Sequence, residues 1–450
     1  MMSTTTGSAP KTRIRDLDPS AKRKVRAAWY GMWLDLYDIY LPIVALTPAM
    51  MYFEPEGLSV AERLLINNFV FVLTLIGRPL GSIMFGVLAD RFGRKRITEI
   101  SVVGFSACTL LIGALPGYAT IGIAALVLLL ALRAIGGVFM GGEYTGANPL
   151  AMEATPRSMR GLVGGVIQSG YPLAYVSVSA LVAVLLLVLP SGGLGDAYTT
   201  WGWRIPFIVG GVLGFVFFVH LRRGVEESQV WKESVRSKTK EKSPLRAVFV
   251  GESGKALAQT LLLMTGLWFG VQALTAATPT LLMNVLEMDS QQVTVALLIA
   301  NLILAASYVL LGRLGQRVGR KRLLLWGGVV ALVVGTPFYY LMVQSATSLN
   351  IVLVTITATV ALVAVVGVFG LVPTYLTERF PAEVRSTGYG IGYSLALVIP
   401  SGYGYYMNWL SGFMPFEYTP LVLIVLGGVL TVIGATMGPD TRHVRMNDEE

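Results

Sequence analysis

Gly86-Val-Leu-Ala-Asp90-Arg91-Phe-Gly93-Arg94-Lys95-Arg96 returns as Gly312-Arg-Leu-Gly-Gln316-Arg317-Val-Gly319-Arg320-Lys321-Arg322, 226 residues further along. A second pair repeats at an offset of 225: Glu153-Ala-Thr-Pro156-Arg-Ser-Met-Arg160 and Glu378-Arg-Phe-Pro381-Ala-Glu-Val-Arg385 keep the same Glu, Pro and Arg spacing. Nearly everything between these polar motifs is apolar. The chain therefore reads as one membrane domain doubled.

Composition points the same way. The chain is 54% hydrophobic and 14% charged, with a mean hydropathy of +0.65, against roughly half apolar and a quarter charged in soluble domains. Lipid offers the backbone no hydrogen bonds, so helices of about 20 residues are the expected way across about 30 Å of hydrocarbon. Twelve such runs are expected, near 28–52, 63–90, 97–115, 120–152, 160–189, 203–221, 254–285, 291–312, 323–343, 349–378, 387–410 and 419–438. The fold class is thus an all-α membrane protein of twelve spans in two pseudo-symmetric six-helix bundles. Its expected parts are a tail (1–27), a first bundle (28–221), a linker (222–252), a second bundle (253–438) and a short tail (439–450). Two parallel repeats about an axis normal to the membrane put a substrate site at mid-depth between the halves.

The first 26 residues are polar and basic, so the first span is expected to direct insertion without a cleaved signal. Of 35 Lys and Arg, 31 fall before span one, after spans two, four, eight and ten, in the linker or at the end. The exceptions are Arg63, Arg78, Arg133 and Arg204. By the positive-inside rule both termini are cytoplasmic, in a plasma membrane of bacterial type. The net charge of +9 is then topology and attraction to lipid headgroups, not nucleic-acid binding. A monomer is the expectation.

Catalytic chemistry is thinly supplied. Cys108 is alone, and His220 and His443 form no pair, HExxH or Ser-His-Asp set, so neither a metal centre, a cofactor nor an enzyme is expected. Gly251-Glu-Ser-Gly254-Lys255-Ala lacks the earlier Gly and the closing Ser or Thr of a phosphate loop. The linker carries Arg222, Arg223, Glu226, Glu227, Lys232, Glu233, Arg236, Lys238, Lys240, Glu241 and Lys242, mixed charge at helical spacing that predicts short, solvated surface helices.

With twelve spans, a doubled six and these loops, the chain resembles the major facilitator superfamily, whose signature between spans two and three is G-x-L-A-D-R-x-G-R-K. Within it the chain is similar to the metabolite:proton symporters, relatives of proline/betaine, citrate, 2-oxoglutarate and shikimate carriers. Four segments carry that likeness: Arg78-Pro-Leu-Gly81, Arg133-Ala-Ile-Gly-Gly-Val-Phe-Met-Gly-Gly-Glu143, Trp201-Gly-Trp-Arg204-Ile-Pro-Phe207 and Glu153-x-x-Pro156-x-x-x-Arg160-Gly161. Where such relatives open the first span with G-N-x-x-E-W-Y-D-F, this chain has Gly31-Met-Trp-Leu-Asp35-Leu-Tyr37-Asp38-Ile, a departure that implies an altered substrate preference. Gln316 stands where the repeated loop motif would hold an acid, so a charge lock there should be weaker than one built on Asp90.

Within the apolar spans the ionisable residues are Asp35, Asp38, Arg78, Arg133 and Glu143. A charge in hydrocarbon costs at least about 2.5–3.5 kcal/mol, so each should face the bundle interior or a partner. Counting about 1.5 Å per residue, Arg133 lies about 18 Å in from the outer end of span four and Asp35 about 11 Å above the inner end of span one. Those depths coincide in a core of about 30 Å, so Arg133 is expected to pair with Asp35 or Asp38. Protonation of the carboxylate would then break the pair, and Glu143 is a second proton site or a gate. Arg78 and Arg133 are the expected anchors of an anionic substrate, because a guanidinium fork binds a carboxylate by two hydrogen bonds.

The resemblance also implies a cytoplasmic latch of Asp90, Arg94, Glu153 and Arg160 with Arg320, Glu378 and Arg385. The second half offers aromatic and amide groups instead of charge. Trp268, Phe269, Gln272, Asn301, Tyr308, Tyr375, Tyr393 and Tyr403, with Tyr30, Trp33 and Tyr37 of span one, are the expected cavity lining. The expected function is proton-coupled import, by alternating access, of a small organic acid, an aromatic one included. A zwitterionic osmolyte or amino acid, or a sugar, is the alternative cargo, and a ligand sensor without transport is the more remote reading.

Overall fold

The computed structural model describes residues 14–55, 57, 58, 60–191, 193–236 and 244–446, and every regular element among them is helical. Among the described residues eleven stretches are long and apolar enough to cross a bilayer. In the first half these are Pro19–Tyr52, Phe69–Phe92, Arg94–Gly113, Ala124–Glu153, Arg157–Val188 and Tyr198–Gly224. In the second they are Gly251–Val285, Ser290–Val318, Arg320–Thr347, Ile351–Arg379 and Phe416–Met437. The remaining expected crossing, span eleven, is built of Arg385–Ser394, Leu395–Leu397, Val398–Ser401 and Tyr403–Leu410. Pro400 has no N–H to return to the ladder and Gly402 follows it, which interrupts the helix.

The packing repeats as the sequence does. Span two packs on span four, three on four and six, and one on five; eight packs on ten, nine on ten and twelve, and seven on eleven. The halves then meet along two related seams, span two against span eleven and span five against span eight. Glycines allow the closest approaches. A Cβ on Gly137 or Gly141 of span four would collide with the backbone at Thr74 or Arg78 of span two, and one on Gly81 with the backbone of Val138. Small residues bring helix backbones together in this way, and here they press Arg78 against span four.

The repeated loop motif has a conformational reason for its glycine. Gly93 and Gly319 turn the chain between spans two and three and between eight and nine with φ of +108° and +114°, a region that L side chains avoid. Two expectations need correction. Span one begins at Pro19, well before residue 28, because a proline at the first helical turn is pre-organised for it and the basic residues 22–26 continue the helix without an apolar signal. The linker does form short helices, Gln229–Arg236 and Pro244–Val248, but its start is docked on the bundle: the Trp231 indole donates to the Asp90 carbonyl at 2.9 Å. Lys238, Lys240, Glu241 and Lys242 lie outside the described residues.

Candidate functional site

Two buried ion pairs hang from span one. Asp35 and Asp38 are three residues apart, about 60° around a helix of 3.6 residues per turn, so they meet different neighbours. Arg78 of span two donates to Asp35 at 2.7 Å, and Arg133 of span four donates to Asp38 at 2.8 Å. The second pair is the better clasped: Thr109 of span three donates to Asp38 at 2.5 Å, and Arg133 also reaches the Asp38 carbonyl at 3.3 Å. All four charged side chains are buried. In such surroundings each ion holds its partner, since removing one strands the other in low dielectric.

Only one of the two arginines reaches the space between the halves. A small cavity of about 30 Å³ is lined by Leu36, Tyr40, Arg78, Tyr171, Trp268 and Gln272, among others, so it joins spans one, two, five and seven. It has room for about two waters, and a larger molecule requires the halves to part. Arg78 leaves it through an aromatic stack. Its guanidinium carbon lies 4.9 Å from the Tyr144 ring centre, Tyr144 packs on Tyr393 of span eleven at 4.9 Å, and Tyr393 on Trp268 of span seven at 5.2 Å.

The other expected lining residues divide. Tyr393 joins the stack through its ring, and its hydroxyl has no hydrogen-bond partner among the described residues. Asn301 borders a neighbouring void of about 10 Å³ with Tyr175 and Thr275, and Tyr308 packs on Tyr171 at 6.5 Å between ring centres. Arg133, Tyr37 and Trp33 are away from the seam cavity. Arg133 is committed to Asp38; the Tyr37 hydroxyl donates to the Pro206 carbonyl at 3.3 Å; the Trp33 indole donates to Ser177 at 3.2 Å. Tyr37 is two residues from Asp35, about 160° around the helix, which turns it toward span six. Tyr375 is bonded to Gln259 at 3.3 Å, Phe269 packs on Tyr406, and Tyr30 is exposed beside Phe217 and His220. Tyr403 is only partly buried, packed on the core of the second half.

At the basic end of the bundle the loop residues form a closed network. Asp90 accepts from the Ser386 N–H at 3.2 Å and from Thr387 at 2.8 Å (N–H) and 2.7 Å (hydroxyl). It thereby binds the first turn of span eleven in the other half. Glu153 pairs with Arg94 of its own half and Arg385 of the other, and accepts from Ser228 of the linker. Arg94 also donates to the Ala382 carbonyl at 3.0 Å. In the second half Arg320 pairs with Glu378 at 3.0 Å, Gln316 accepts from the Gly161 N–H at 3.0 Å, and Arg160 donates to the Val444 carbonyl at 2.8 Å.

Sequence reasoning missed several participants. Glu227 accepts from the Lys95 N–H at 3.1 Å and Asp440 from the Arg320 N–H at 3.1 Å, so each anion sits on the N-terminus of span three or nine, where the helix dipole favours it. Ser228 and Thr441 follow them and donate to Glu153 and Glu378. The available signal was an acid followed by a hydroxyl residue after spans six and twelve. Tyr144, Tyr171 and Gln168 were also missed; both amide atoms of Gln168 are buried without a hydrogen-bond partner among the described residues.

A doubled six-span bundle, with charges buried at its centre and a polar network across one end, is an arrangement found in membrane carriers. The family model described as Major Facilitator Superfamily matches residues 28–405, and the chain belongs to that superfamily of transporters. It is 28% identical to the inner membrane metabolite transport protein YhjE of Escherichia coli K12, over 94% of this chain and 95% of that one. Its fold matches that of the proton:xylose symporter XylE with a TM-score of 0.70 and 17% identity, covering 93% of this chain and 94% of the other.

Proposed function

We propose that the protein is a proton-coupled symporter that carries a small organic anion into the cell, with Arg78 as the substrate anchor. The observation that supports this reading most directly is the position of Arg78. Among the described residues it is the charged group lining the cavity between the halves, and its counter-ion Asp35 sits on the span that must move. An anion arriving at the guanidinium competes with Asp35 for the same fork. The displaced Asp35 is then stable in that buried place only after taking a proton, so cargo and proton load together. Release on the far side reverses both steps and restores the Arg78–Asp35 pair. Arg133 and Asp38 hold spans one, three and four together while this happens. The rings of Tyr144, Tyr393 and Trp268 favour a planar or aromatic acid.

The concentration of Lys and Arg at one end supports placing that end, and both termini, in the cytoplasm of an inner membrane. The name of the relative YhjE as a metabolite carrier and that of XylE as a proton symporter agree with the reading. A zwitterion is the second reading, favoured by one fact: Asp35 Oδ1 has no hydrogen-bond partner among the described residues and could receive an ammonium while Arg78 holds a carboxylate.

The test is uptake into liposomes containing a trapped pH dye, challenged with benzoate, citrate, proline, betaine and xylose. External alkalinisation with one acid, lost in Arg78→Lys but retained in an exposed-site control such as Lys255→Gln, supports the anion symporter. A response confined to proline or betaine moves the assignment to the zwitterion. A response to xylose alone, or to none of the five, sinks both.

A further inference from the structure

We infer that the first half binds one anionic phospholipid in a groove on its lipid-facing side, where spans three, four and six approach the linker, with Arg96 and Arg222 holding the headgroup phosphate. The inference does not depend on which cargo is carried. Unlike Glu143, which is fully buried with its carboxyl against Gly31 of span one, the charges of this groove lie on the outside of the bundle.

The groove measures about 980 Å³, far more than the cavity of about 30 Å³ between the halves. Its walls are apolar: Ile100, Val103 and Gly104 of span three, Phe139 of span four and Phe218 of span six. Residues 96, 100, 103 and 104 stand at i, i+4, i+7 and i+8, so they form one stripe along span three. From Arg96 to Gly104 that stripe runs about 12 Å. The headgroup layer on one side of a bilayer is about 5–8 Å deep, so the stripe starts among headgroups and ends at the depth of acyl chains. A Cβ on Gly104 would collide with the Phe139 ring; the ring rests on bare backbone there and closes the groove from behind. Ile100 is exposed, as are Ile135, Phe215 and Val219 on the same three spans, which continues the wall onto the lipid-facing surface.

The charges at the mouth divide into used and unused. Lys95 donates to the Arg222 carbonyl at 3.1 Å and lies 3.7 Å from Glu99. Glu227 accepts from the Lys95 and Ser228 N–H groups at 3.1 and 2.9 Å. Arg96 and Arg222 are exposed, and neither pairs with an acid among the described residues. Two free guanidinium forks above an apolar wall match a phosphodiester that carries acyl chains. The forks take its oxygens in charge-assisted hydrogen bonds, and the wall takes the chains. Basic pockets between membrane helices recognise anionic headgroups in this way. A lipid held by both arginines would join the start of span three to the end of span six.

The second half keeps the loop charges and changes the groove residues. At the offset of 226, Arg96 corresponds to Arg322, Ile100 to Trp326 and Gly104 to Val330. Lys321 repeats the role of Lys95, but the carbonyl it reaches, at 2.8 Å, belongs to Thr436. One of the two arginines therefore has no counterpart, and bulkier side chains stand at the positions of Ile100 and Gly104. General attraction between basic residues and headgroups would treat the two halves alike, whereas a built site would not.

The test is native mass spectrometry of the full-length protein in detergent, titrated with dioleoyl phosphatidylglycerol or dioleoyl phosphatidylcholine. One phosphatidylglycerol per chain is expected to stay bound at concentrations where phosphatidylcholine is lost. Its affinity should fall about fivefold in Arg96→Gln or Arg222→Gln and about thirtyfold in the double variant, the effect of one and of two basic residues near an anionic surface. Arg322→Gln should leave it unchanged. Both arginines of the site are exposed, so the variants remove charge without opening the core. Equal retention of the two lipids overturns the inference, and so does an equal loss in Arg322→Gln and Arg96→Gln. Displacement of the lipid by glycerol phosphate at equal concentration would assign the arginines to a soluble anion and overturn it as well.

Discussion

The two halves close their basic ends with the same parts and unequal charge. Each uses a glycine turn of positive φ, an Arg on the first turn of the next helix paired with a Glu at the end of another span, and an anion capping that helix from the segment after the sixth span of its half. At the position that crosses to the other half they differ. Asp90 gathers three hydrogen bonds from residues 386 and 387, whereas Gln316 receives one from the opposite half, from Gly161. The comparison separates what duplication preserves from what it releases. Backbone turns and buried ion pairs persist because losing them costs the fold, while the charge on the crossing residue sets how firmly one seam closes relative to the other.

The largest predicted effect tests that division at the buried acids. Glu153 holds two guanidiniums and a hydroxyl, and Glu378 one guanidinium and a hydroxyl. Stranding a buried partner costs about 3–5 kcal/mol. Glu153→Ala should therefore fall at or above the top of that range and Glu378→Ala near its foot, measured as loss of thermal stability of the detergent-solubilised protein. Equal losses would show that the latch is as strong in one half as in the other despite Asp90.

Next in size is the contrast between the two core pairs of the first half. Asp38→Ala should destabilise by about 3–5 kcal/mol, because it leaves the buried Arg133 guanidinium without its counter-ion. Asp35→Asn keeps an acceptor for Arg78 and should leave the unfolding temperature nearly unchanged while concentrative uptake is abolished. A Asp38→Ala protein as stable as the wild type would move Asp38 from the scaffold into the transport machinery.

How far these roles could be read beforehand depends on contrast. The repeats, the spans and the latch acids stand out because they are polar words in an apolar text, and the Gly in each loop motif is tied to a turn only glycine makes comfortably. The pairing of Asp35 with Arg78 was not legible. A three-residue separation on one helix is a rotation of about 60°, smaller than the uncertainty of any helix placed by hydropathy, so depth alone matched Arg133 equally with either acid. Tyr144 and Tyr171 were invisible for a related reason: an aromatic side chain facing the seam and one facing lipid have the same hydropathy. Glu227 and Asp440 are 213 residues apart, not the 225 or 226 that separate the loop motifs, so the repeat offset does not mark them as equivalent.

Asp90→Asn is the third perturbation. It keeps the shape and one acceptor oxygen but removes the charge that strengthens the contacts to Ser386 and Thr387. Hydrogen bonds to a charged group are worth about 1.5–3 kcal/mol against about 1 for neutral ones, so the closed basic end should lose about 1–2 kcal/mol. Spin labels at the exposed Arg91 and the half-buried Glu383 would report it as a larger population with that end open. An unchanged distance distribution would mean that the Glu153 pairs hold the seam alone.

The smallest effect comes from the reverse change, Gln316→Glu, which restores an acid to the weaker lock at the same side-chain length. Gln316 accepts from Gly161 at 3.0 Å and from Arg320 at 2.9 Å, and both bonds become charge-assisted in the variant. Against that gain stands Glu378, which already pairs with Arg320 at 3.0 Å and would repel a second acid. Residue 316 is partly exposed, so solvent screens the repulsion more than it weakens a direct N–H contact. The balance favours closure by about 0.5–1 kcal/mol, a two- to five-fold rise in the closed population on the same spin-label distances, with a matching fall in turnover if opening of this end limits the cycle. Movement the other way, toward the open state, would show that Arg320 can satisfy only one acid, and that glutamine at 316 preserves the Arg320–Glu378 pair.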